Sequence, residues 1–327
     1  MIGGGVDIQV LSEKQRQDLY ESHPVLTKDY LVITPVVKKV YSLIRDRVFM
    51  RTTGTFMYAS PRVGKTTCAK ATQLLLQAEF PRIHVMRFSA EPSRQKSALL
   101  LDILAADKLC VPRSPKYKEL QHQLLIHVQS SLAMPGGNQF VLIADEMQNL
   151  SEENLIDLAS IHNRLETLGI RMTTIGFAQP EIMDRHTALL ATNQSFLIAR
   201  FLSEPIPFSG CTSIDDLRVI LDAYDQELRF PEDCDHTYTR FFLQLAYDNG
   251  FRLASYADAI WRKLWAAKGL SGDSIPMEHL SRTVEFLLVS GTASDSRNFK
   301  LTPKAIDDAV AASNLRYFSG LLGSPAE

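Results

Sequence analysis

The chain lacks any run of about 18 apolar residues, so no membrane span is expected. It is poor in cysteine: Cys68, Cys110, Cys211 and Cys234 are the only four, and no two form a CxxC pair. Neither a metal site nor a disulfide framework is suggested, and a reducing cytoplasm fits. Basic charge is not in excess, since 35 Lys and Arg stand against 37 Asp and Glu for a net charge of −2. A uniformly basic nucleic-acid binder is disfavoured, while a local basic face stays open. The first residues, MIGGGVDIQVLSEKQRQ, lack the basic start and apolar core of a secretion signal. Internal repeats and low-complexity tracts are also missing. What remains is ordinary globular composition, 45% hydrophobic and 22% charged. Its 327 residues suit two packed units.

Residues 1–30 are polar and read as irregular. Apolar spacing predicts helices over 35–47, 65–80, 93–106, 116–132 and 152–168. Short apolar runs predict strands at 56–58, 84–88, 140–144 and 172–177. The run 140–144, FVLIA, is continuous, as expected of a strand buried on both faces. Strands alternating with helices predict an α/β fold with a parallel sheet and helices on both faces. The pattern changes after Pro205 and Pro207. Residues 213–228, 236–248, 252–268, 276–290 and 302–315 read as helices with no strand between them, an all-α second domain.

The strand at 56–58 runs into Ala59, Ser60, Pro61, Arg62, Val63, Gly64, Lys65, Thr66 and Thr67. This is the phosphate-binding pattern GxxxxGKS/T with Ala59 in place of the first glycine. Gly64 lets the backbone approach phosphates closely. Backbone N–H groups and the start of the following helix face the anion with partial positive charge. Lys65 would reach the β- and γ-phosphates of ATP, and the Thr66 hydroxyl would ligate magnesium. A chance GKT at a strand-to-helix turn is the alternative, and the flanking strand and helix argue against it.

Asp145 and Glu146 close the apolar run 140–144 in a Walker B arrangement. Asp145 would hold magnesium through water, and Glu146 would orient and deprotonate the attacking water. Acids at a helix start also serve as caps; the phosphate loop upstream favours hydrolysis. Gln179 ends the next strand, where it either sits beside Glu146 to sense the γ-phosphate or hold the water, or is a loop residue before Pro180. Arg200 ends a helical stretch and either reaches a neighbouring subunit's nucleotide or interacts with its own helix dipole. Arg252 starts a helix in the second domain, as a sensor in cis or a solvated surface residue.

In this order the features resemble the AAA+ ATPases, and within them the TnsC/TniB family of transposition ATPases. The resemblance spans roughly residues 30–265. It rests on residues 30–35, ASPRVGKTT, HVMRFSAEPSRQKS, LIADEMQNL, TTIGFAQPEI and LIARFLSEPIPF. It implies an N-terminal extension over 1–30, an AAA+ α/β domain over 31–208 and a smaller all-α lid over 209–327. Lys65, Thr66, Asp145 and Glu146 would form the ATP–magnesium core. Gln179 would take the sensor-1 position, where Asn, Ser or Thr is more usual. Arg200 would be the arginine finger and Arg252 sensor 2, with residues 32–35 near the adenine. The family assembles on double-stranded DNA as rings or helical filaments and links a target-selection protein to a transposase. Arg94 and Lys96, where that family's pore-facing helix begins, would meet DNA phosphates or form a solvated helix start. Two other classes would use the same loop: a nucleotide-switched protein-binding adaptor, and a small-molecule kinase, which the adjacent Asp-Glu pair and the all-α second domain disfavour.

Overall fold

A computed structural model describes residues 12–93, 95, 97–111, 116–232, 234–269 and 272–323. The chain divides into two compact units, Val37–Phe208 and Met1–Val36 with Ser209–Glu327. Residues 12–36 are more regular than their polar composition suggests. Ser12 caps α1 (Glu13–Glu21) in a reciprocal capping box with Gln15, and His23 caps α2 (Pro24–Thr27). The apolar spacing at 36–44 becomes α3 (Pro35–Phe49).

The α/β unit is built on β1 (Gly54–Tyr58), β2 (Ile83–Ser89), β3 (Gln139–Asp145), β4 (Arg171–Ala178) and β5 (Pro205–Pro207). All pair in parallel, in the order β2-β3-β4-β1-β5. Between them run α4 (Lys65–Glu79), α5 (Ala98–Ala106), α6 (Tyr117–Ala133), α7 (Glu152–Thr167), α8 (Ile182–Ala191) and α9 (Ser195–Leu197). Every residue of β3 is buried, because helices cover both faces of the sheet. Its side chains Phe140 and Leu142 meet Leu124, Leu158 and Ile161 from α6 and α7 in one core. A parallel sheet places its loops at the C-terminal strand ends, so the segments after β1, β3 and β4 gather there.

Two features depart from the apolar pattern. β5 is flanked by prolines that cannot donate to a ladder, and it is tolerated because it lies at the sheet edge. The helix expected from residue 93 begins at Ala98.

The second unit is helical. Its elements are α10 (Ile214–Asp222), α11 (Tyr238–Phe242), α12 (Gln244–Asp248), α13 (Ala257–Lys268), α14 (Met277–Gly291), α15 (Pro303–Ala312) and α16 (Leu315–Gly323). Several expected helices are interrupted. A π-turn over Ala223–Glu227 ends the first, and Leu243 at φ −129°, ψ 57° splits α11 from α12. Its core holds Tyr224, Tyr238, Phe242, Leu264 and Leu287 together with Val25 and Val32 from the N-terminal segment. The Tyr30 hydroxyl donates to Glu285 at 2.8 Å and lies 2.7 Å from the Tyr224 hydroxyl. Among the described residues, no helix is long and apolar enough to cross a membrane.

Each unit contains a histidine held neutral by burial. Burial depresses the pKa of His23 and of His162 from 6.5 to about 3. His23 sits among the rings of Phe230, Tyr238, Phe241 and Phe242, and His162 Nε2 lies 2.9 Å from the Thr174 hydroxyl. Between those pKa values the unfolded chain binds a proton that the folded chain does not. Their contribution is therefore complete above pH 6.5 and falls on acidification, by about 1.4 kcal/mol per pH unit for each histidine. Melting temperature recorded downward from neutral pH should fall, and His162→Gln should flatten the slope.

Candidate active site

The phosphate loop grows directly out of the sheet. Ala59 N–H donates to the Ala178 carbonyl at 3.1 Å, extending the pairing of β1 with β4 by one residue. The Ala59 backbone is not left-handed, so the missing first glycine imposes no strain there. The loop turns through two left-handed residues, Arg62 at φ 65° and Gly64 at φ 104°. Buried Val63 anchors it between them. Ser60, Pro61, Thr66 and Thr67 are exposed, and α4 begins at Lys65. The free N–H groups of the first turn of α4 are thus presented at the loop.

Lys65 is 5% exposed, and its ammonium donates to the carbonyls of Ala59 at 2.9 Å and Ser60 at 3.0 Å. Burial lowers its pKa, opposed by the carboxylates of Glu146, Asp145 and Glu181. Asp145, the last residue of β3, is 2% exposed. Burial raises its pKa; hydrogen bonds from the Thr66 hydroxyl and the Glu146 N–H oppose that shift. Thr66 and Asp145 therefore meet, although 79 positions separate them in the chain. A hydroxyl beside a buried carboxylate offers two hard oxygen donors, which fits magnesium.

Glu146 occupies the left-handed region at φ 53°, ψ 40°. A non-glycine residue there carries strain on the order of 1–3 kcal/mol that the surroundings must hold. Two glutamines do so: Gln179 Nε2 donates to Glu146 Oε2 at 3.0 Å, and Gln148 Nε2 donates to the same oxygen. Gln148 Oε1 in turn accepts from the Gln179 N–H at 2.9 Å. The segment is pinned further by Asn149, whose amide donates to the Ala90 carbonyl, and by Arg185, which donates to the Gln148 carbonyl. Met147 packs against Gly176 on β4, where any side-chain carbon would meet its sulfur at 2.1 Å.

Sequence reasoning did not single out Glu181 or Arg185, and it held Gln148 and Asn149 only as positions of the LIADEMQNL segment, with no contact assigned to either. Gly176 inside an apolar strand was a signal of close approach. Gln148 carried only its place in LIADEMQNL, because its contact depends on the unusual backbone of Glu146.

The arginines lie elsewhere. Arg200 falls in a π-turn, Ile198–Leu202, and its guanidinium donates to the Ala159 carbonyl on α7 at 3.3 Å. Its backbone lies against Gly54 at the start of β1, where a side-chain carbon would meet the Arg200 carbonyl at 2.3 Å. The phosphate loop leaves the opposite end of that strand, about 16 Å away at ~3.3 Å per residue. Arg252 belongs to the helical unit. Its guanidinium stacks 3.6 Å over the Tyr247 ring and donates to the carbonyls of Tyr247 and Phe251. Arg94 and Lys96 lie outside the described residues.

Comparison with known proteins gives the same architecture. The family model described as AAA domain matches residues 51–185, a span holding the phosphate loop, Asp145, Glu146 and Gln179. No curated protein matches the sequence. Among solved structures, the ORC2 protein of Aeropyrum pernix in ADPNP–ADP complexes is similar at 14% identity and a TM-score of 0.61. That similarity covers 89% of this chain and 71% of that one. Cdc6p of Pyrobaculum aerophilum is similar at 13% identity and a TM-score of 0.54, over 84% of this chain and 66% of that one. The ORC1 protein of Aeropyrum pernix in complex with DNA is similar at 13% identity and a TM-score of 0.53, covering 88% and 68%. The fold is the AAA+ P-loop fold, and AAA+ domains as a class bind and hydrolyse nucleotides.

Proposed function

We propose that the chain is an ATP-hydrolysing AAA+ protein that assembles on double-stranded DNA and links target-site selection to transposase recruitment. The observation that carries the ATPase reading is one cluster. Lys65, Thr66 and Asp145 converge at the phosphate loop, and Glu146 is clamped beside them by Gln148 and Gln179.

In this reading Lys65 leaves the Ala59 and Ser60 carbonyls to meet the β- and γ-phosphates. Thr66 directly, and Asp145 through water, would hold magnesium, which would neutralise phosphate charge. Glu146 accepts a proton from water as the water oxygen attacks the γ-phosphorus. The bond from that phosphorus to the β,γ-bridging oxygen breaks, releasing ADP and phosphate. Gln148 and Gln179 fix the carboxylate that takes the proton. Arg200, at the far end of β1 from its own phosphate loop, serves a neighbouring subunit. Arg252 acts as sensor 2 after release from Tyr247. The boundaries at 30 and 208 belong to the same reading, as does a cytoplasmic place of action.

DNA association is supported by the fold shared with an ORC1 protein solved with DNA. Transposition is supported by the motif run from ASPRVGKTT to LIARFLSEPIPF. Arg94 and Lys96 are the proposed phosphate contacts. Electron microscopy of the chain with duplex DNA and a slowly hydrolysed ATP analogue should show rings or filaments. Affinity should fall steeply with salt, with a log–log slope of about −0.9 per neutralised phosphate. Arg94→Ala with Lys96→Ala should make that slope shallower. Monomers alone at micromolar protein would refute assembly. Assembly that ignores DNA would leave a nucleotide-switched protein adaptor.

A further inference from the structure

At the edge of the sheet away from the phosphate loop, three side chains converge that play no part in the proposed ATPase chemistry. His84 stands near the start of β2, Asp107 caps the C-terminus of α5, and His127 projects from the middle of α6. One nitrogen from each ring and one carboxylate oxygen all lie within 4.8 Å of one another. His127 Nε2 is 2.6 Å from Asp107 Oδ2, and His84 Nε2 is 3.5 Å from that same oxygen. Hydrogen bonding satisfies only the first. His84 Nε2 is buried, and its contact with that oxygen is too long to satisfy it fully.

The rings are held in place by the fold. His84 stacks on Phe140 at 5.7 Å between centroids and meets His127 edge-on at 5.2 Å. Phe140 pairs with His84 across the ladder and begins the apolar run that ends at Asp145. Five residues of strand, about 17 Å, therefore separate this cluster from the Walker B acid.

We infer that His84, Asp107 and His127 form a binding site for a divalent transition metal, with zinc as its fitting occupant. Two imidazole nitrogens and one carboxylate oxygen are a borderline donor set that suits zinc, cobalt or nickel and disfavours magnesium. Ligand atoms around a tetrahedral zinc at ~2.1 Å stand about 3.4 Å apart. The separation of His84 from the Asp107 oxygen already matches, and that of His127 from the same oxygen would have to lengthen by less than 1 Å. Metal would engage the incompletely satisfied His84 nitrogen and join β2, α5 and α6 through one ion. The three ligands come from separate elements and none is a cysteine, so CxxC counting could not reveal the site.

The test uses the full chain without a polyhistidine tag, stripped with EDTA and free of nucleotide. Titration with cobalt, followed by visible absorption and by calorimetry, should give one ion per chain, displaced by zinc and indifferent to millimolar magnesium. His127→Ala and Asp107→Asn should each weaken binding at least tenfold, whereas His122→Ala, on the exposed face of α6, should not. Zinc should raise the melting temperature of the wild type and not of the His127→Gln chain. Circular dichroism checks that each variant is folded. Equal affinity in wild-type and His84→Ala/His127→Ala chains, or no binding tighter than millimolar, would overturn the assignment.

Discussion

Glu146→Gln should lower ATP turnover by about 10²–10⁴-fold, the range of general acid–base catalysis, while leaving nucleotide affinity close to wild type. The amide keeps the shape and the hydrogen-bonding oxygen, so Gln148 and Gln179 can still hold it. It cannot take a proton from water. The loss should therefore fall on kcat and not on binding. Gln148→Leu separates positioning from proton transfer. It removes one of the two amides on the Glu146 carboxylate and the acceptor of the Gln179 N–H. Turnover should fall by about tenfold, because a displaced catalytic group loses rate steeply with distance. The pH profile of the remaining activity should also change. A purely structural role would instead lower the melting temperature and leave that profile alone. Single-turnover hydrolysis, with analogue affinity measured in parallel, decides both. Wild-type turnover in Glu146→Gln would remove the base from the mechanism.

What the sequence made legible follows from what each feature depends on. β3 is readable because FVLIA must be apolar on both faces under two helical layers. The phosphate loop is readable because Gly64 and Lys65 are demanded by backbone approach and charge. β5 is not readable from its composition: Pro-Ile-Pro becomes a strand only because β1 has a free edge beside it. In the helical unit, the break at Leu243 falls inside an apolar stretch that periodicity alone would continue. α8 has only Ile182 and Leu189 buried, too few to show a period. In the site, the acids were visible as types, and Gln179 was legible beside Glu146 because it ends the next strand; the second half of the clamp was not. Gln148 reaches Glu146 only through a left-handed backbone that no pattern announces. His84, Asp107 and His127 met the same limit, since each reads as an isolated polar residue until the sheet and two helices bring them together.

Arg200→Ala should reduce turnover by about 10³–10⁵-fold in the assembled state, the range of an arginine finger supplied to a transferring phosphoryl group. Nucleotide affinity should stay close to wild type. The argument is geometric. Arg200 lies against Gly54, and the phosphate loop leaves the other end of β1. An arginine side chain does not span that strand, so any action on nucleotide is on a neighbour's. In the isolated chain the guanidinium donates to the Ala159 carbonyl, a bond it can exchange for phosphate when a second subunit docks. This predicts complementation. An Arg200→Ala chain keeps an intact phosphate loop, and a Lys65→Ala chain keeps an intact finger. Each should be nearly inactive alone. Mixed on DNA, they should regain part of the wild-type rate at interfaces where the intact loop faces the intact arginine. A cis finger, or an arginine serving only α7, would give mixtures no faster than the sum of the two. The two outcomes differ by orders of magnitude in phosphate release, and only the first requires the site to be completed between subunits.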